Sequence, residues 1–255
     1  MMNVTFDFAG NNFVVIGASS GIGKQTTIEL VESGANVLAI ARNVERLNEL
    51  KKINPEKIFT VSLDVMKATS DDWATVLEDF KNNFGKIDGG VYCAGIWGLT
   101  PLNGFDAELA HKIFDTSFWG MVNFMQVATK KKFSNAKSSF VMMSSISGDY
   151  PSKSLFAYSA AKSALQAAIK SFSKEIVKNG HRINSVAPAI VDTEMTGSGM
   201  TAAIAGEEMI SRHLLGLGKA EDVAGMILFL LSNRAAWITG QNFFVDGGYI
   251  AGSYV

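Results

Sequence analysis

Short apolar runs that alternate with longer segments of helical period limit what this chain can fold into more than any other feature. Seven runs read as strands, at residues 13–16, 36–41, 57–63, 88–93, 138–143, 182–187 and 242–245. Between them, apolar residues recur at helical spacing over 21–33, 43–52, 70–84, 106–131, 155–179 and 219–232. Strands that are apolar at nearly every position are covered on both faces. Regular strand–helix alternation builds a parallel sheet, because each strand needs a long crossover before the next. The pattern therefore predicts an α/β fold of one domain over residues 1–255: a doubly wound, mostly parallel seven-stranded sheet with helices on both faces (Rossmann-type). One stretch breaks the rhythm. Residues 191–217 hold Gly197, Gly199, Gly206 and Gly216 together with Met195, Met200 and Met209, and such an excursion is expected to act as a substrate lid.

The first strand runs directly into Gly17-Ala18-Ser19-Ser20-Gly21-Ile22-Gly23, and then into a helix. Glycines there let the chain turn sharply, let backbone reach a pyrophosphate, and let the helix pack close to the sheet. The helix start adds free N–H groups and a positive dipole end. The spacing is G-x-x-x-G-x-G rather than G-x-G-x-x-G, so the general dinucleotide fingerprint is not strictly matched. Gly17, Ser19, Ser20, Gly21, Ile22 and Gly23 are the expected phosphate cradle. After the second strand, where an acid would hold a ribose 2′-hydroxyl, the sequence reads Ala41-Arg42-Asn43. A carboxylate would repel a 2′-phosphate, whereas a guanidinium binds one with two hydrogen bonds. Arg42 therefore points to NADP(H), with NAD(H) as the second choice.

Tyr158 and Lys162 stand four residues apart in a helical stretch and so share a face. An ammonium there favours phenolate, so the phenol is expected to shift toward working pH and act as a general acid or base. Thirteen residues before Tyr158 lies Ser145, at the end of the fifth strand. Ligands of such sheets bind beyond the carboxyl ends of the strands, which lets Ser145 meet Tyr158 and donate to a substrate oxygen.

With these residues the chain resembles the short-chain dehydrogenase/reductase family in its compact form, over essentially its whole length. The glycine turn resembles T-G-x-x-x-G-x-G, with Ile16 in place of the threonine. Ser145, Tyr158 and Lys162 match the family's serine and Y-x-x-x-K. Leu63-Asp64-Val65 resembles the segment that holds the adenine ring, which assigns Asp64 and Val65 to the cofactor. Tyr92-Cys93-Ala94-Gly95 stands where the family has N-N-A-G, keeping Ala94 and Gly95 but neither asparagine. The stretch 184–193 resembles the nicotinamide segment, implying contacts from Pro188, Ala189, Val191 and Thr193, with Ala189 replacing a glycine. Residues 240–248 resemble the family's C-terminal signature. The family's fourth catalytic residue, an asparagine that helps hold a water near the lysine, aligns with Ser117.

The resemblance implies hydride transfer between nicotinamide and a carbonyl or secondary alcohol, as in a ketone reductase or a 3-oxoacyl-carrier-protein reductase. Tyr158 would pass the proton, Ser145 would bond the substrate oxygen, and Lys162 would also hold the nicotinamide ribose. The rival from another class is a non-catalytic dinucleotide-binding or sensing protein on the same fold, favoured by the replacements at Tyr92, Cys93 and Ser117. Consumption of NADPH with carbonyl compounds separates the two. The expected substrate lining is Ile96, Trp97, Leu99, Tyr150, Leu155, Phe156, Met195 and Met200, which suits a small, partly hydrophobic molecule. Small residues on the 155–179 helix, at Ala157, Ala160, Ala161, Ala164, Ala167 and Ala168, together with the family's habit of pairing this helix, imply a homotetramer, with a dimer as the second choice.

Composition narrows the partners. At 255 residues the chain can bury a large core, and a net charge of −1 gives no general pull toward nucleic acid or an anionic membrane. No secretory signal or membrane-spanning run is evident. Cys93 is the only cysteine, which excludes an internal disulfide and suits a reducing, cytoplasmic setting. It reads as a small hydrophobe. The three histidines, His111, His181 and His213, have no partners at metal-ligand spacing, so no metal is expected, and His213 reads as solvated. The run Lys130-Lys131-Lys132 reads as a solvated helix end.

Overall fold

The structure is a computed structural model, and it describes residues 4–194 and 210–252. Seven strands form: β1 (Asn12–Ile16), β2 (Asn36–Ala41), β3 (Ile58–Ser62), β4 (Ile87–Tyr92), β5 (Ser134–Met143), β6 (Arg182–Pro188) and β7 (Asn242–Val245). They fall on the apolar runs. The largest departure is β5, which begins four residues before its run, beyond a register irregularity against β4. The helices are α1 (Gly21–Glu32), α2 (Val44–Ile53), α3 (Ser70–Phe84), α4 (Ala107–Phe114), α5 (Gly120–Ala128), α6 (Phe156–Ile176), α7 (Ala220–Leu231) and the short α8 (Tyr249–Gly252).

All pairings are parallel, in the order β3-β2-β1-β4-β5-β6-β7. The chain winds outward from β1 to β3, then returns to place β4 on the other side of β1. Crossovers on either side of this switch run in opposite directions and leave a crevice beyond the carboxyl ends of β1 and β4.

Strand side chains alternate between two cores. Val15, Val37, Ala39, Val91, Val141 and Val186 face α1, α2 and α7, with Leu30, Leu47 and Ile227 among their partners. Val14, Ile16, Leu38, Ile40, Phe140 and Met142 face α3, α5 and α6, against Trp73, Phe124 and Leu165. Trp73 and Phe124 are completely buried, with ring centroids 5.2 Å apart. Truncating such residues costs about 3–5 kcal/mol each. Local chemistry sets the helix starts. Thr69 and Asp72 form a reciprocal capping box on α3, and Asn43 accepts the Arg46 N–H to cap α2.

The sequence predicts one helix over 106–131, but the structure divides it. Between α4 and α5 lies a π-helical turn, Asp115–Trp119. It leaves the Thr116 carbonyl to accept a 2.7 Å hydrogen bond from the Tyr92 hydroxyl of β4. Gly120 makes room, since a Cβ there would lie 2.3 Å from that oxygen. An extra residue in a helix is the usual way to free a carbonyl for a partner outside it. Among the described residues, no helix is long and apolar enough to cross a membrane.

Candidate active site

A cleft of about 480 Å³ opens at the carboxyl ends of the strands, over the switch point. Its floor at one end is the turn after β1. Gly17 has a φ of +83°, a conformation costly for any side chain, and a Cβ there would lie 2.7 Å from the Ala94 nitrogen. A Cβ on Gly23 would lie 2.2 Å from the Gly17 carbonyl oxygen. The turn and the start of α1 are thus pressed together with no space left for side chains. The exposed edge of this turn takes an anion: the Gly21 N–H donates to the Glu194 carboxylate at 2.9 Å. That contact is what a helix N-terminus offers a phosphate oxygen. The residues present therefore fit a pyrophosphate.

Every residue expected to hold a dinucleotide lies on the cleft wall: Gly17, Ser19, Ser20, Gly21, Ile22, Gly23, Arg42, Asp64, Val65, Ala94, Gly95, Tyr158, Lys162, Pro188, Ala189, Val191 and Thr193. Arg42 and Asp64 mark one end. Asp64 also accepts the Met66 N–H at 3.1 Å, which shapes the chain after β3.

At the other end, α6 carries Tyr158 and Lys162 beside Ser145. Ser145 caps a short 3₁₀ turn, Ile146–Gly148, by accepting the Ser147 N–H at 3.2 Å. Its hydroxyl lies beside the Tyr158 phenol. Lys162 is 3% exposed and donates to the Met143 carbonyl at 2.7 Å. Its Nζ lies 5.5 Å from the centre of the Tyr158 ring. Burial lowers the Lys162 ammonium to about 8. The Tyr158 phenol is raised above its ordinary value by burial, and the Ser145 hydroxyl opposes this only in part. This departs from the expectation that Lys162 pulls the phenol down. Both groups are desolvated together, and the lysine directs its nearest hydrogen bond at a backbone carbonyl, not at the phenol oxygen.

Ser117 does not reach the wall. It sits behind Gly95, where a Cβ would lie 3.5 Å from the Ser117 Oγ and 3.6 Å from the Lys162 Nζ. Its hydroxyl is fully buried and has no hydrogen-bond partner in the structure. Tyr92 and Cys93, which replace the family's asparagines, serve packing. Tyr92 binds the π turn, and burial pushes the Cys93 thiol up to about 12, so it remains an unreactive thiol.

Of the expected substrate lining, Ile96, Trp97, Leu99 and Leu155 face the cleft. Two residues do not. Tyr150 turns away to meet Phe244 edge to face, and Phe156 packs against Phe105, with Tyr150 and Phe156 each more than two-fifths exposed. Both follow the strand end in loop or first-turn positions, where the sequence does not fix which side faces inward. Met195 and Met200 lie outside the described residues. His213 is not solvated. It is buried, its Nε2 accepts the Ile190 N–H at 3.3 Å, and its ring stands 4.8 Å from that of Tyr249. Tyr249 itself lines the cleft, a contact from the far end of the chain that no local pattern announces. Ser152 and Lys153, which no sequence motif marks, add polar groups to the cleft wall. Among the described residues, no group of three or more His, Cys, Asp or Glu side chains can hold a metal ion.

Comparison with known proteins agrees with this geometry. Residues 17–250 match the family described as enoyl-(acyl-carrier-protein) reductase. The chain is 32% identical over 245 residues to the 3-oxoacyl-(acyl-carrier-protein) reductase of Thermotoga maritima, covering 94% of this chain and 98% of that protein. It is 29% identical over 245 residues to the L-xylulose reductase of Mus musculus, covering 95% and 98%. A solved structure from Brucella melitensis, described as a short-chain dehydrogenase/reductase of the glucose/ribitol dehydrogenase type, superposes with a TM-score of 0.89 at 27% identity, covering 96% of this chain and 99% of that one.

Proposed function

This chain belongs to the short-chain dehydrogenase/reductase family of oxidoreductases, and from that premise we propose that it is an NADP(H)-dependent reductase of a small, partly hydrophobic carbonyl compound. The carrying observation is one cleft with an anion-accepting glycine turn at one end and Ser145, Tyr158 and Lys162 at the other.

The backbone N–H groups at the start of α1 would hold the pyrophosphate, and Asp64 and Val65 would hold the adenine. Arg42, exposed at the rim with Ala41 where an acid would stand, would pair with the 2′-phosphate. Ala94, Gly95, Pro188, Ala189, Val191 and Thr193 would hold the nicotinamide end. When bound, the dinucleotide supplies a hydride for the carbonyl carbon.

Tyr158 donates its phenolic proton to the substrate oxygen as that oxygen gains charge. Ser145 donates its hydroxyl hydrogen to the same oxygen, while its own Oγ is fixed by the Ser147 N–H. Burial sets the Tyr158 phenol above its ordinary value, and a charged Lys162, 5.5 Å from the ring centre, favours the phenolate left once the proton has been given up. Ile96, Trp97, Leu99 and Leu155 exclude water and hold the apolar body of the substrate. The segment 191–217 is proposed as a substrate lid, and residues 195–209 of it lie outside the described residues. At its described base Val191 pairs with Gly218, and Val191 and Thr193 both reach the wall.

The relatives support two substrate classes, because one is a reductase of 3-oxoacyl thioesters and another of a sugar ketone. The apolar wall favours the first. A homotetramer, or else a dimer, is supported by Trp119, Phe105 and Phe156, which are about half exposed, on or beside the helices that flank the site. We place the protein in the cytoplasm on its single, partly buried free cysteine.

The test is NADPH oxidation with a panel of 3-oxoacyl esters, diketones and ketoses. Turnover is expected, and Tyr158→Phe should reduce it by at least about a hundredfold, as loss of a general acid does. A panel without turnover, or a fully active Tyr158→Phe, sinks the proposal.

A further inference from the structure

Resting on the reading of Ser145, Tyr158 and Lys162 as the reacting set, we propose that Gln166 is a positioning residue that fixes Ser145 against Tyr158.

Tyr158, Lys162 and Gln166 follow one another at four-residue intervals and form one stripe along α6. The first two are absorbed by the mechanism, while Gln166 is buried, two turns from Tyr158, and belongs to no motif. Its Nε2 donates to the Ser144 hydroxyl at 2.9 Å and to the Asp149 carboxylate at 2.7 Å. A carboxylate only accepts, so the atom facing Asp149 is the amide nitrogen and both its hydrogens are engaged.

Ser144 and Asp149 are the two ends of the segment that holds Ser145 and the 3₁₀ turn. That segment is bound to β6 only at its start, by the Ser144 N–H to the Val186 carbonyl at 2.8 Å. Beyond that bond it is held mainly by α6, with one longer contact from Asp149 to β7. Lys162 grips the Met143 carbonyl, and Ser163 donates to the Gly148 carbonyl. Each of these touches one end, whereas Gln166 spans both. The turn lies directly on its amide, since a Cβ on Gly148 would sit 2.6 Å from the Gln166 Nε2. Asp149 continues the chain of bonds to Asn242 of β7 at 3.3 Å, and Asn242 accepts from Ser185 of β6 at 2.7 Å.

The consequence is geometric. Ser145 and Tyr158 come from different elements, yet the separation of their oxygens must hold to a few tenths of an ångström for both to bond one substrate oxygen. Gln166 makes one rigid helix the reference for both. Its removal should leave each group present but loosely set, which lowers the rate without weakening cofactor binding.

The experiment measures kcat, KM and NADPH affinity for a set of variants on a carbonyl compound the protein reduces. Gln166→Leu should lower kcat about tenfold, a 1.4 kcal/mol change, with NADPH affinity unchanged. In a Ser145→Ala background the same change should cost less than about twofold, because the residue it positions is gone. Gln166→Glu sets a carboxylate against Asp149. The pair must then share a proton, so activity should be lost at neutral pH and recover as pH falls. Adding Asp149→Asn to Gln166→Glu restores a donor–acceptor match and should return kcat to within about threefold of the unmodified protein.

Full kcat in Gln166→Leu, or equal losses with and without Ser145, overturns the positioning role while an inactive Tyr158→Phe leaves the catalytic reading standing. A fully active Tyr158→Phe, or no turnover of any carbonyl compound, overturns that reading and the role of Gln166 with it.

Discussion

Two strand-end turns face each other across the cleft, and they are built in opposite ways. After β1, the chain gains its shape by leaving side chains out: Gly17 and Gly23 touch backbone where a Cβ would stand. After β5, it gains its shape by adding them: Lys162, Ser163 and Gln166 of α6 grip residues 143–149 from the side. The first turn presents backbone N–H groups, which suit a phosphate that every dinucleotide carries. The second presents one hydroxyl whose direction matters, and a web of side-chain bonds can be altered residue by residue. Damage to the first turn should therefore appear in folding and cofactor affinity, and damage to the second in the rate of chemistry.

The largest effect expected is at the first turn. Gly23→Ala puts a methyl group 2.2 Å from the Gly17 oxygen, and only a shift of α1 against the sheet relieves it. Overpacking of this kind costs about 1–3 kcal/mol or more. NADPH affinity should fall more than about a hundredfold, because the N–H groups that meet the pyrophosphate move with the helix. Calorimetric binding and a denaturant midpoint together measure this. Unchanged affinity would erase the contrast between the turns.

At the second turn the probe is pH. Lys162 carries its charge below about 8 and loses it above. On the proposed role, the charged lysine favours the phenolate that forms as Tyr158 gives up its proton, so the rate of reduction should hold below that midpoint and fall as pH rises through it. In the limit the fall is about tenfold per unit, following the protonated fraction. NADPH affinity measured in parallel should change less. A rate flat from pH 7 to 10 would remove Lys162 from the proton chemistry.

Arg42→Ala tests the nucleotide end at a side chain instead of a glycine. NADPH should bind about tenfold more weakly, near 1.4 kcal/mol, while NADH affinity stays put. Equal losses for both cofactors would mean that Arg42 meets something other than the 2′-phosphate.

The same contrast explains what the sequence makes legible. The β1 turn is written in glycines, and glycine in a strand–helix junction has a local meaning. The inner strands read correctly because both their faces are covered, so period and composition agree. Tyr158 and Lys162 are legible through helix spacing. Gln166 and Tyr249 are not, since their roles arise from contacts with chain many residues away. The π turn is also hidden: residues 106–131 read as one helix, and only the Tyr92 hydroxyl at the carboxyl end of β4 reveals why the helix is broken there. Tyr150 and Phe156 mislead because an aromatic residue near a strand end serves equally well as cleft wall or as outer surface.

The smallest effect expected is at Ser117, and it separates two accounts of this position. The Ser117 hydroxyl is buried without a partner, and leaving such a group unpaired costs about 1–3 kcal/mol. If nothing joins it in solution, Ser117→Ala removes that cost, so the melting temperature should rise and the rate should not change. If a water bridges Ser117 and the Lys162 ammonium on the far side of Gly95, the hydroxyl is satisfied and gives the lysine a path for its proton. Ser117→Ala should then lower the rate about threefold, steepen its dependence on pH and leave the melting temperature level or lower. The second outcome is expected, because the Lys162 ammonium and the unpaired Ser117 hydroxyl both lie within 3.6 Å of the place a Gly95 Cβ would take, and such polar groups are the partners a buried water requires. A more stable Ser117→Ala protein with an unaltered pH profile would show instead that proton supply to Lys162 does not pass through Ser117.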